Sequence, residues 1–274
     1  MTQFLHAIGA SLDYTRELIV VALIFARTMP MIMQTPYIGG PLVPAQVKMS
    51  LAVLFTVLLW PLAREAVVGP FPIGPGIFTL LMFKEIFVGL AIGYVNAHVF
   101  WAMEIAGRIT DTARMASMSE VMEPHSEQRT TPFGDMYQQI MVLIFMAVGG
   151  HHIFLRAYFF SFVSIPINKG LAMGNAMAPF FEATMRLGGH IFLIGVTLAA
   201  PIFAATLITD VVFGILNRVA PQLNAYFMSM PVKAVGGMVI ALLVMNTVIS
   251  RFYDFVTWSL QAVEKTIGLF AVSG

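Results

Sequence analysis

Long uncharged apolar runs interrupted by single charges constrain this chain more than any other feature. Uncharged stretches cover 49–63, 66–83, 86–103, 136–155, 187–209 and 234–250. Crossing a bilayer takes roughly 20 mostly apolar residues. Several of the runs reach that length only if Arg27, Lys84 with Glu85, or Arg156 is absorbed into them. A charge at mid-depth costs at least ~2.5–3.5 kcal/mol and is tolerated where it faces protein or water. The pattern therefore predicts an all-α integral membrane protein of about six hydrophobic helices, with its charges buried against other protein. Of the 274 residues, 58% are hydrophobic and 11% charged, where soluble domains carry about 25% charged residues. Six helices and their loops use the whole length, so the chain reads as one membrane domain, 1–274.

The net charge of +1 provides no basic face, which argues against nucleic-acid binding. Cysteine is absent, so disulfides, thiol catalysis and thiolate metal sites are excluded. Residues 1–11 lack a basic n-region and do not read as a cleaved signal; Phe4, Ile8 and Leu12 share one face of a short amphipathic helix. Over six spans the loop cations divide evenly. Arg16, Arg64, Lys169, Arg186, Arg251 and Lys265 fall on one side, and Lys48, Arg108, Arg114, Arg129, Arg218 and Lys233 on the other. Orientation normally follows a bias in such cations, so a tie fits a protein whose final position is set by partners.

The first helix spans about 18–33 and ends in a loop carrying Pro36, Gly39, Gly40, Pro41 and Pro44. The second covers 49–61. Prolines 70, 72 and 75 make 66–83 a poor continuous span. The third runs from about Gly76 to Met103, about 42 Å at 1.5 Å per residue. Residues 104–135 form the long polar segment. A fourth helix, 137–162, is broken at Pro166; a fifth covers 181–217; 218–231 is a polar turn; and 232–250 is the sixth. In the tail 251–270, Phe252, Val256, Leu260, Val263, Ile267 and Phe270 share one side, suited to an interface or a partner helix.

Lys84 and Glu85 are adjacent on one helix, where neighbouring side chains diverge by about 100° and do not face each other. Each is therefore expected to need its own partner on another helix or chain, or else to snorkel to water. Met115, Met118 and Met122 share a face of a short helix, and unbranched Met packs adaptably against changing surfaces. That face suits a seal that closes and yields, or is the small apolar face of an ordinary loop. Asp111, Glu120, Glu123 and Glu127 keep the segment wettable. His151 and His152, after Gly149 and Gly150, are badly spaced for joint metal ligation and read as a packed or hydrogen-bonded pair, as do the lone His98 and His190. Asn217, Arg218, Pro221, Gln222 and Asn224 form a polar hairpin between apolar helices, offering fixed donors and acceptors for recognition or serving as a plain turn. No nucleotide, hydrolase or metalloprotease motif occurs, so the chain does not read as an enzyme.

The stretch LNRVAPQLNAYFMSMPVK (216–233) resembles the C-terminal signature of the FliR/SctT family, the inner-membrane export-gate subunit of flagellar and virulence type III secretion. In the same order, Arg27 to Pro30 with Pro36, Pro44 and Ala45 is similar to that family's opening. Lys84-Glu85-Ile86 with Gly89 and Gly93 is similar to its third helix, and Phe145 with Gly149, Gly150, His151, His152, Ser161, Phe162 and Pro166 to its fourth. The resemblance implies a subunit of a closed helical assembly with several copies of FliP/SctR-type and FliQ/SctS-type proteins, and contact with a FlhB/SctU-type protein and membrane lipid. Residues 1–180 would be the FliP-like part and 181–274 the FliQ-like hairpin and tail. Unfolded export substrates would pass through the shared channel, entering near the hairpin at Arg218 to Asn224. The family's plug falls by position on 110–123, within a loop of about 108–130. Its usual glycines are replaced here by Ala116, Ser117 and Ser119, so the expected seal is Met115, Met118 and Met122 with those three. Arg27, Lys84 and Glu85 would fix neighbouring subunits. Multi-pass placement in the bacterial inner membrane and no cofactor follow from the same resemblance. From the residues alone, a stand-alone six-span transporter using Lys84, Glu85, Arg156 and the histidines as a relay remains the alternative.

Overall fold

In a computed structural model, residues 14–40, 43–67, 75–114, 131–170 and 173–271 are described. Their regular structure is entirely helical: α1 (Tyr14–Gln34), α2 (Pro36–Gly39), α3 (Ala45–Glu65), α4 (Pro75–Ala113), α5 (Pro132–Ala147), α6 (Gly150–Ser164), α7 (Met173–Val219) and α8 (Ala225–Ala271). Five helices are long and apolar enough to cross a membrane, and the α5–α6 pair makes a sixth if counted as one broken span.

The boundaries depart from the sequence reading where tertiary packing overrides local signals. The third helix reaches Ala113 rather than Met103, because buried Asp111 anchors its last turn. The fourth is two helices, broken at Gly149, whose φ of 78° lies in the left-handed region that glycine adopts without strain. Pro231 does not end a turn. The polar turn is confined to 220–224, and α8 runs on through Pro231 and the amphipathic tail as one helix. A proline removes one intrahelical bond, a loss that a 47-residue helix with a packed face tolerates. On that face Phe252, Val256 and Val263 are buried within the chain.

The chain divides into two compact units. The first comprises Met1–Ala97, His151–Thr184 and Ser259–Gly274, and the second His98–Gly150 and Met185–Trp258. In the first, Val20, Leu23, Ile24, Phe154 and Tyr158 form the apolar interior. Helices α1 and α4 approach closely there. A side chain at Gly89 would strike the backbone carbonyl of Arg27, and one at Gly93 would meet Met31 at 3.2 Å. Small residues one turn apart allow such approach, as in packed membrane helices. Beyond α1, Tyr37 is half-buried, its desolvation pushes its phenol well above the usual range, and it accepts a hydrogen bond from Asn96 Nδ2 at 3.4 Å.

One turn before Gly89, the two helices exchange charge. Arg27 Nε donates to Glu85 Oε2 at 2.5 Å, and both side chains are wholly buried. Its Nη1 donates to the Ser161 carbonyl at 2.9 Å and to Ser161 Oγ at 3.2 Å, and its Nη2 to the Ile165 carbonyl at 2.8 Å. The guanidinium also lies 4.3 Å from the Phe162 ring centroid. Lys84 Nζ donates to the Pro166 and Lys169 carbonyls at 2.9 and 3.1 Å. It also sits 2.5 Å from Glu85 Oε1, a charge contact rather than an aligned hydrogen bond. The expectation that Lys84 and Glu85 cannot pair is therefore corrected: their Cβ atoms diverge, but the flexible lysine stem curves back. Arg27, Lys84 and Glu85, expected as buried charges that fix neighbouring subunits, are buried in the first unit and bind its own groups.

Two cations share one carboxylate, and their remaining donors go to backbone carbonyls at the end of α6 and in the turn after it. The C-terminal end of a helix carries the negative end of its dipole, which favours cations there; the Ser161 carbonyl accepts from Ile165 N at 2.9 Å as well as from Arg27. Pro166, which lacks an N–H, cannot extend that helix or donate to its last carbonyls. Removing one partner of a buried pair costs about 3–5 kcal/mol, while removing both together is often close to neutral. Glu85→Gln strands two cations and is expected to lower thermal stability in detergent more than Lys84→Met does. Combining Arg27→Met with Glu85→Met should recover part of the loss. Strictly additive losses in this cycle would mean the three charges are not coupled.

Candidate functional site

Of the expected seal, Met115, Ala116, Ser117, Met118, Ser119 and Met122 lie outside the described residues. The two chain ends that flank them, at Arg114 and Thr131, are described and belong to the second unit. Helix α5 begins with Pro132, and Thr131 at its cap position makes no side-chain cap bond. Its first free amides, Phe133 and Gly134, are taken instead by a carboxylate from α4. Asp111 Oδ2 accepts from Phe133 N at 2.9 Å and Gly134 N at 3.4 Å, while its Oδ1 accepts from Arg114 Nη2 at 3.0 Å. Asp111 and Arg114 are both buried. Asp111 was expected to keep the loop wettable; it is a cap supplied from another helix.

Packing fixes this stem from every side. The Arg114 guanidinium lies 4.1 Å from the Phe133 ring centroid. Its stem occupies the space that a side chain at Gly237 of α8 would need. A side chain at Gly107 would strike the Phe133 carbonyl and Gly134. Phe133 meets Tyr137 edge-on at 5.8 Å, and Tyr137 meets Phe252 at 6.1 Å. The sequence did carry a signal for the stem: Asp111 stands three residues before Arg114, ion-pair spacing on a helix, ahead of a proline-initiated helix.

The polar hairpin is a tight turn between α7 and α8. Ala220 N donates to the Leu216 carbonyl at 2.8 Å, Leu223 N to the Ala220 carbonyl at 3.1 Å, and Met228 N to the Asn224 carbonyl at 3.3 Å. Asn217, Arg218, Pro221, Gln222 and Asn224 are all exposed on it. Their side chains are thus displayed, in contrast to the buried Asp111 and Arg114. Further along the hairpin, Lys233 is buried and paired with Asp210. Both line a cavity of about 540 Å³ walled by Ile105, Ile109, Phe203 and Leu207.

His151 and His152 stand in the first turn of α6 with ring centroids 4.0 Å apart and planes at 74°. Gly149 supplies the left-handed turn before them, and a side chain at Gly150 would press on the Phe145 ring. Among the described residues no group of His, Asp and Glu is placed to hold a metal ion. His98 and His190, read as isolated, both meet Trp258. His98 contacts it edge-on at 5.3 Å, and His190 stacks on it at 4.9 Å with planes 8° apart. Three residues so far apart in sequence offered no signal for this cluster.

Comparison with known proteins gives these features a family. Residues 18–257 match the family described as Bacterial export proteins, family 1. The chain is 28% identical over 222 residues to the flagellar biosynthetic protein FliR of Caulobacter vibrioides, covering 81% of this chain and 86% of that one. It is 34% identical over 160 residues to the Yop proteins translocation protein T of Yersinia pestis, covering 57% of this chain and 60% of that one. It is 30% identical over 155 residues to the secretion system apparatus protein SsaT of Salmonella typhimurium, covering 57% and 59%. The match spans every described helix except the ends of α1 and α8, and the chain belongs to this bacterial export family, the FliR/SctT proteins of type III secretion.

Proposed function

We propose that this chain is a core subunit of a type III export gate in the bacterial inner membrane, forming part of the channel through which unfolded flagellar or virulence substrates pass. The observation that carries the reading is the family match over 18–257, with relatives named for both flagellar and translocation systems. Its partners are FliP/SctR-type and FliQ/SctS-type subunits and a FlhB/SctU-type protein. Residues 1–180 act as the FliP-like part and 181–274 as the FliQ-like hairpin. The role is structural rather than catalytic, and the driving energy comes from partners, since the chain has no nucleotide-binding motif.

Within that gate, Met115, Met118 and Met122 with Ala116, Ser117 and Ser119 form the resting seal. The seal segment departs from and returns to a stem held by Asp111 and Arg114, so its ends have a fixed spacing. The exposed Arg218, Gln222 and Asn224 supply donors and acceptors for an extended substrate at the entrance. The rival relay through Lys84, Glu85 and Arg156 has less support: Arg156 is exposed on α6, while Lys84 and Glu85 are buried and bound to Arg27 and backbone carbonyls.

Co-expression with FliP/SctR- and FliQ/SctS-type proteins is expected to yield one heteromeric detergent-extracted complex. A monodisperse chain that ignores those partners would overturn the reading. Deleting 115–122 should raise ion leak through the complex while leaving it assembled. Asp111→Ala removes the cap of α5 and strands Arg114, which should destabilise by about 3–5 kcal/mol and also raise leak. Asp111→Asn keeps an acceptor and should fall between. Leak that is indifferent to both the deletion and Asp111→Ala would remove the seal from this segment.

A further inference from the structure

We propose that a pocket between the first turn of α1 and the last turn of α3 binds the headgroup of a zwitterionic phospholipid of the phosphatidylethanolamine class. The pocket has a volume of about 360 Å³ and is lined by Arg16, Trp60, Pro61, Arg64 and Glu65. At ~30 Å³ for each water-sized unit, it admits a phosphoethanolamine group. Behind it, Glu17 fixes two of the walls. Its Oε2 accepts from Trp60 Nε1 at 2.8 Å, and its Oε1 lies 3.2 Å from Arg64 Nε. The Arg64 guanidinium stands 5.3 Å from the Trp60 ring centroid.

The charges select the ligand. Glu17 and Arg64 neutralise each other, yet Arg64 keeps its terminal N–H donors, because only Nε faces Glu17. Arg16 and Glu65 form no ion pair with any described residue. A cation and a carboxylate therefore remain in one pocket, with guanidinium donors suited to a phosphate. A phosphate flanked by an ammonium satisfies both. An anionic headgroup would satisfy Arg16 and leave Glu65 facing a like charge.

The position suits a lipid. The apolar runs of α1 and α3 both stop at this level, with Arg16 before one and Arg64 and Glu65 after the other. Trp beside cations at the ends of spans is the composition of the membrane–water interface, and basic pockets between helix ends there take up headgroups. Headgroup binding at this pocket does not depend on the export function, so the two readings stand or fall separately.

The test uses the full chain purified in detergent and presented with equimolar phosphatidylethanolamine and phosphatidylglycerol, with native mass spectrometry counting the lipids retained. Wild type should retain more phosphatidylethanolamine. Arg16→Gln should reduce retention of both lipids. Glu65→Gln should shift the ratio toward phosphatidylglycerol by roughly two- to fivefold, the range of an exposed ion pair. Neither substitution touches the Glu17 contacts, so thermal stability should be unchanged. A lipid ratio identical in wild type and both variants overturns the proposal. Displacement of the lipid by equimolar soluble glycerophosphoethanolamine or inorganic phosphate also overturns it, because the pocket would then be a site for free phosphate.

Discussion

Arg27 is the side chain on which the first unit depends. It is wholly buried on α1, and its donors reach Glu85 of α4 and the carbonyls of Ser161 and Ile165 at the end of α6. Three helices from distant parts of the sequence meet at one guanidinium. A planar group with five N–H donors can do this; a lysine, with one point charge, cannot satisfy so many acceptors in fixed directions. The arrangement is stable because charge and hydrogen bonding close together. Glu85 is shared by both cations, carbonyls at the end of α6 and in the turn after it take their remaining donors, and Gly89 lets α1 come near enough for the contact.

The same rule governs the second unit with the sign reversed. Short helices are marginal on their own, and α5 and α6 have 16 and 15 residues. Each has one end completed by a charge from another helix. The N-terminal amides of α5 face the Asp111 carboxylate; carbonyls at the C-terminal end of α6 face Arg27, and those of the turn after it face Lys84. Both charges match the helix dipole at the end they meet. Pro132 and Pro166 define where those ends lie. Asp111 and Arg27 thus complete helix ends from other helices, each beside a proline at the neighbouring helix's end, while Glu85 pairs with Arg27 and Lys84, and Arg156 stays exposed.

Much of this was legible in the sequence. The positions of the long helices, the proline-rich break after α1, and the family signature in 216–233 followed from pattern and motif, because apolar periodicity and proline act locally. The pairing of Lys84 with Glu85 was not legible: helical geometry places Cβ atoms, not the tip of a four-carbon side chain. Nor was the role of Asp111, whose acceptor sites are used by amides 22 and 23 residues away. The run of α8 through Pro231 was hidden for a related reason. Local propensity predicts a stop, and the packing of Phe252, Val256 and Val263 overrides it.

Outside these knots much of the helical surface is apolar. Val53, Leu54, Val57 and Leu58 on α3, Phe192, Leu193 and Val196 on α7, and Leu242 and Leu243 on α8 are each at least half exposed. Water would drive such faces together indiscriminately. In lipid, or against equally apolar partner helices, that drive is absent, and association rests on close packing and polar contacts. Specificity in this chain therefore has to come from its few polar groups and glycines. Arg27 with Glu85, Asp111 with Arg114, and the close approaches at Gly89 and Gly107 supply it, since each admits one arrangement where apolar contacts alone would admit many. This is why a chain with only 11% charged residues places several of them in its interior.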